Sequence, residues 1–141
     1  MSKPANSTVN ITRVIDAPPN RVFEAWTDLP TAKKWWGPED VKTIELVIEP
    51  RVGGKFHWVL TTPDGERMTT DGEFREVLPN ERLVFTWDVE TLVTVEFQKQ
   101  DTDSTELRLT HENLADEKSR DGHADGWNSA LNKLEQLFST K

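Results

Sequence analysis

Six strand-like runs joined by tight turns, followed by one long amphipathic segment, leave this chain few ways to build a core. The runs cover residues 42–49, 55–61, 67–78, 82–89, 92–99 and 104–113. Between them stand Pro50-x-x-Gly53-Gly54, Pro63-Asp64-Gly65, Pro79-Asn80-Glu81, a reversal over 88–91, and Gln100-Asp101-Thr102-Asp103. Connections this short join antiparallel neighbours. Within the runs one parity is apolar: Phe56, Trp58 and Leu60, then Leu83, Phe85 and Trp87, then Val93, Val95 and Phe97, then Leu107, Leu109 and His111. The opposite parity is mostly Thr, Glu, Asp, Arg and Lys, so one face of the sheet is buried and the other wet.

Residues 119–138 supply the cover. Trp127, Leu131, Leu134 and Phe138 recur at spacings of 4, 3 and 4, with Ala130 and Leu137 widening the stripe. This is the periodicity of an amphipathic helix, and at 1.5 Å per residue it reaches ~30 Å, enough to cross a sheet. Upstream, residues 8–16 alternate imperfectly as a strand that stops at Ala17-Pro18-Pro19. Val22, Phe23, Trp26 and Leu29 then follow helical spacing, and a second helical segment runs from Pro30 through Trp35-Trp36 to a stop at Gly37-Pro38. The expected class is α+β: a curved antiparallel sheet of about seven strands, two short helices after the first strand, and a long C-terminal helix over the concave face. A single domain is expected over residues 8–139, with 1–7 as a disordered tail.

Composition narrows the function. Six Trp and six Phe carry much of the core, each worth roughly 4–6 kcal/mol at most when buried. The absence of cysteine excludes a disulfide framework, a thiolate nucleophile and a Cys-based zinc site, and fits a reducing, cytoplasmic location. A net charge of −8 repels phosphate backbones and anionic membranes, so neither nucleic acid nor membrane is an expected partner. No window approaches the ~20 apolar residues of a spanning helix.

Several strings resemble one family. Ile15-Asp16-Ala17-Pro18, Val22-Phe23-Glu24-Ala25-Trp26-Thr27-Asp28, Lys34-Trp35-Trp36-Gly37-Pro38, Gly53-Gly54-Lys55-Phe56, the stretch from Gly72 to Trp87, and Gly126-Trp127-x-x-x-Leu131-x-x-Leu134 resemble the activator of heat-shock-protein-90 ATPase homologues. That family belongs to the START-like (SRPBCC, Bet v 1-like) helix-grip superfamily. The resemblance implies the helix-grip fold and a hydrophobic cavity that binds a small molecule. It also brings an alternative of polyketide cyclase/dehydratase-like catalysis and a possible chaperone contact in a stress response. Chaperone activators of the family look like two-part proteins with a separate N-terminal domain, for which this chain is expected to have no room, so chaperone contact ranks below ligand binding.

The residues themselves name no catalytic set. There is no nucleophile elbow, no glycine-rich phosphate loop, and the carboxylates have outward parity. His57, His111 and His123 lack the spacing of a metal site, and no cofactor is expected. His57 has solvent-facing parity. His111 and His123 either orient the polar end of a ligand or are satisfied histidines at the rim of the core. The candidate cavity residues are Trp35, Trp36, Phe56, Trp58, Met68, Phe74, Phe85, Trp87, Phe97, His111, His123, Trp127 and Leu131. Gly122, Gly126 and Ala130 make a small-residue row beside Trp127. Two helical glycines cost about 1 kcal/mol each, so the row implies close approach or open space. The mouth is expected between Trp35-Trp36 and the Pro63-Asp64-Gly65 turn. Ligand identity and oligomeric state, monomer or homodimer, stay open.

Overall fold

A computed structural model describes residues 7–88 and 91–139. The elements are β1 (Ser7–Ile15), α1 (Pro19–Thr27), α2 (Leu29–Ala32), β2 (Lys42–Ile48), β3 (Lys55–Thr61), β4 (Arg67–Leu78), β5 (Arg82–Trp87), β6 (Thr91–Asp101), β7 (Ser104–Leu114) and α3 (Glu117–Ser139). One seven-stranded sheet runs β1-β7-β6-β5-β4-β3-β2, antiparallel throughout. The expected fold class is therefore the observed one. β1 starts at Ser7, one residue inside the expected tail; residues 1–6 of that tail lie outside the described residues, as does Val89 at the expected end of β5.

Parity chooses the core as expected. Phe56, Trp58, Leu60, Leu83, Phe85, Trp87, Val93, Val95, Phe97, Leu107, Leu109 and His111 are all buried. Curvature enters where β4 passes from β3 to β5: Gly72 pairs with Phe56 while Phe74 pairs with Phe85. A Cβ on Gly72 would lie 1.9 Å from the Thr86 carbonyl oxygen, so only glycine lets the backbones approach this closely.

The second helix is shorter than its apolar spacing implies. α2 has four residues, and its end tightens into i→i−3 bonds, Lys34 N–H to Thr31 O at 3.0 Å and Trp35 N–H to Ala32 O at 3.2 Å. Trp35 and Trp36 are therefore held on turns. Both are buried, Trp35 by donating its indole N–H to the Ala25 carbonyl at 3.0 Å.

α3 buries Trp127, Ala130, Leu131 and Leu134, and it packs chiefly on β1 with a lighter contact to β7. Arg13 of β1 fixes that lean. Its guanidinium donates to Asn132 Oδ1 at 2.9 Å, Asn128 Oδ1 at 2.9 Å and Glu135 Oε2 at 2.6 Å. A fork bonded to three successive turns sets both the position and the rotation of the helix. The inner surface of β3, β4 and β5 is left partly uncovered.

Candidate functional site

The uncovered side is a cleft of about 430 Å³. Residues 36–41 form one wall; β3, β4 and the end of β5 form the floor with Trp58, Leu60, Met68, Thr70 and Trp87; Gly122, His123, Gly126, Trp127 and Ala130 of α3 close the other side. Its size falls within the range of small-molecule sites, and its lining is mainly apolar.

Backbone chemistry places the aromatic walls. Gly37 has φ +84°, and a Cβ there would lie 2.7 Å from Trp58 Cζ2. Glycine is thus required twice, for the left-handed turn and for contact with the indole. Trp58 is held from its other end by an N–H bond to Thr43 Oγ1 at 3.1 Å. Trp87 and Trp127 meet with ring centroids 5.2 Å apart, and Trp36 lies 6.0 Å from Trp58 and 6.1 Å from Trp127. On α3, a Cβ at Gly122 would meet nothing within 4 Å, whereas one at Gly126 would touch Pro38 Cγ at 3.4 Å. Of the two options the small-residue row presented, Gly122 takes open space and Gly126 takes approach.

A chain of hydrogen bonds anchors Trp127. Its indole N–H donates to His111 Nδ1 at 3.1 Å, which makes Nδ1 the acceptor and Nε2 the protonated nitrogen. Nε2–H then donates to Thr91 Oγ1 at 2.9 Å, and that hydroxyl donates to the Trp87 carbonyl at 2.6 Å. Burial, with a smaller contribution from the charge of His123, pushes the His111 pKa down to about 3. The ring is neutral, fully buried and satisfied on both nitrogens.

Polar groups stand at the mouth. His123 donates Nδ1–H to the Ser119 carbonyl at 2.8 Å, which leaves Nε2 as its acceptor. Asp88 follows β5 in a left-handed conformation, φ 58°, and its N–H donates to the Asp71 carbonyl at 2.8 Å. Partial desolvation raises the pKa of Asp88, opposed by a backbone hydrogen bond from Asp71 and by His123.

Of the candidate residues, Trp36, Trp58, Met68, Trp87, His123 and Trp127 line the cleft. Trp35, Phe56, Phe74, Phe85, Phe97 and Leu131 are buried in the solid core away from it. They share the inward face, but neighbouring rings cover them: Phe56 meets Trp36 at 5.3 Å and Trp87 at 5.4 Å, and Phe97 meets Phe23 at 5.4 Å. His111 is not at the rim but beneath Trp127, where it serves the core. His57 is on the outer face, as its parity implies, with its ring hydrogen-bonded to Asp71. Thr70 and Asp88 are wall residues that the sequence did not single out. Thr70 shares the parity of Met68, a usable signal; Asp88 had outward strand parity until the left-handed turn at its own backbone redirected the chain.

Among the described residues no group of three or more His, Cys, Asp or Glu could hold a metal ion. No helix of the described residues is long and apolar enough to cross a membrane.

A sequence model described as activator of Hsp90 ATPase homolog 1-like protein matches residues 16–139. The chain belongs to that family. Solved structures agree on the helix-grip architecture. The AHSA1 protein from Silicibacter pomeroyi superposes with a TM-score of 0.84 at 24% identity, covering 94% of this chain and 98% of that one. A protein from Chromobacterium violaceum gives a TM-score of 0.81 at 26% identity over 95% and 98% of the two chains. One from Nitrosomonas europaea gives 0.83 at 22% identity over 94% of each. No curated protein matches the chain. The activator of Hsp90 ATPase homolog 1-like family thus supplies a fold of the small-molecule-binding type, and the cleft between α3 and the β3–β5 floor is where this member has space.

Proposed function

We propose that this domain binds a small apolar or amphipathic molecule in the cleft beside α3. The observation that carries the reading is the cleft itself: about 430 Å³, walled by four indoles, and kept open by a helix that Arg13 holds toward β1. Apolar surface lined this way favours any ligand that removes it from water, at roughly 25 cal/mol per Å². A cyclase or dehydratase would need acid–base groups in the cleft. His111 is committed to Trp127 and Thr91, leaving among the described residues only His123 and Asp88 at the mouth, so binding without chemistry is the better-supported reading. The family name points toward a chaperone, but the outer face carries mutually paired charges such as Arg82 with Glu76 and Glu96, and no docking surface stands out among the described residues.

Blocking the cleft from opposite walls tests the proposal. Gly122→Trp projects into open space, and Thr70→Phe extends from a strand position that favours aromatics. With 4-phenylbutanol as probe and quenching of tryptophan fluorescence as readout, each substitution is expected to weaken binding at least about tenfold. Thermal midpoints should stay within a few degrees of the parent. Undiminished binding in both variants would place the ligand elsewhere.

A further inference from the structure

We infer that the ligand is an amphipathic cation, an apolar body carrying a protonated amine, with its head at Asp88 and its body among the indoles. This rests on the proposed cleft and adds the chemistry of its occupant. Among the described residues the lining contains no lysine or arginine, and Asp88 is its one carboxylate. The other polar groups at the mouth include His123, which accepts through Nε2 because Nδ1–H is given to Ser119, and the hydroxyl of Thr70, which can accept or donate; the Thr62 hydroxyl already accepts from the Glu66 N–H at 3.2 Å.

Donors, by contrast, are mostly withdrawn. Three of the four indole N–H groups are unavailable: that of Trp58 goes to Thr43, that of Trp127 goes to His111, and that of Trp36 is buried within the protein, which leaves that of Trp87. An anionic head would meet a carboxylate with no lysine or arginine in the lining to offset it, whereas an ammonium would meet a carboxylate, acceptor groups and indole π-faces. The raised pKa of Asp88 has the same origin: a carboxylate partly removed from water beside apolar walls, which a bound cation would stabilise in its charged form.

Three probes with one body separate the possibilities: 4-phenylbutylammonium, 4-phenylbutanol and 4-phenylbutyrate, titrated by calorimetry at pH 7.5 against the full chain. The ammonium should bind about tenfold more tightly than the alcohol, and the carboxylate more weakly than both. Asp88→Asn should bring the ammonium to within about twofold of the alcohol, both measured on that variant. Asparagine tolerates the left-handed backbone of this position and keeps an acceptor for the Asp71 N–H, so the variant tests charge alone. If the alcohol binds but the ammonium has no advantage, or Asp88→Asn leaves the advantage intact, the cation assignment is overturned and the cleft stands. If none of the three binds, both fall.

Discussion

Replacing Trp127 with alanine is expected to lower the unfolding free energy by about 3–5 kcal/mol, a large part of the 5–15 kcal/mol that holds a typical domain together. The side chain is buried, stacks on Trp26 at 6.0 Å and meets Trp87 at 5.2 Å, so its removal leaves a void bordered by stiff rings. A second term comes from the hydrogen bond to His111. Trp127→Phe isolates it: the buried Nδ1 loses its donor, at a cost of about 1–3 kcal/mol beyond the lost volume. Trp26→Phe is the control, since the Trp26 indole N–H has no partner among the described residues and only volume is lost. Urea midpoints at constant m should rank Trp127→Phe clearly below Trp26→Phe. Equal midpoints would mean that the His111 bond does not hold α3 in place.

Acid should destabilise the domain earlier than its carboxylates alone would. The pKa of His111 is about 3 in the folded protein against 6.5 for the free side chain. Between those values the unfolded chain binds a proton that the folded chain refuses, so stability falls as pH falls. The contribution of the neutral ring is complete above about pH 6.5 and is withdrawn progressively down to about pH 3, a loss on the order of 5 kcal/mol. His111→Gln retains an acceptor and a donor but does not titrate. Between pH 4.5 and 6 the slope of unfolding free energy against pH should be shallower in this variant by close to the one-proton value of about 1.4 kcal/mol per pH unit. Parallel slopes would show that His111 takes up a proton in the folded state.

Much of this architecture is legible in the sequence because strands and helices impose short periods. The inward residues of β3, β5, β6 and β7 follow from alternation, and the buried face of α3 follows from Trp127, Leu131 and Leu134. α2 misleads because Trp35 and Trp36 extend an apolar pattern that the backbone does not continue; i→i−3 bonds at its end and the indole bond of Trp35 to Ala25 override spacing. The site is only half legible. Parity says which face a residue joins, but not whether a helix covers it. Phe56 and Trp58 share a strand and a face, yet one is sealed under rings and the other lines open space. Trp36 and Trp87 cover Phe56, while Trp58 stays open because α3 leans toward β1, held by Arg13 reaching Asn128, Asn132 and Glu135 across more than a hundred residues of sequence. No local pattern carries that contact. Asp88 was hidden for a different reason: its side chain depends on a left-handed φ at a point where alternation stops.

The indole region of a two-dimensional nitrogen–proton NMR spectrum offers six probes, one for each tryptophan. On addition of saturating 4-phenylbutanol, Trp36, Trp58 and Trp87 should shift most, while Trp35, bonded to Ala25 behind the aromatic layer, should hold its position. A spectrum in which no indole moves, or in which Trp35 moves as far as Trp58, would contradict an open apolar cleft between α3 and the sheet.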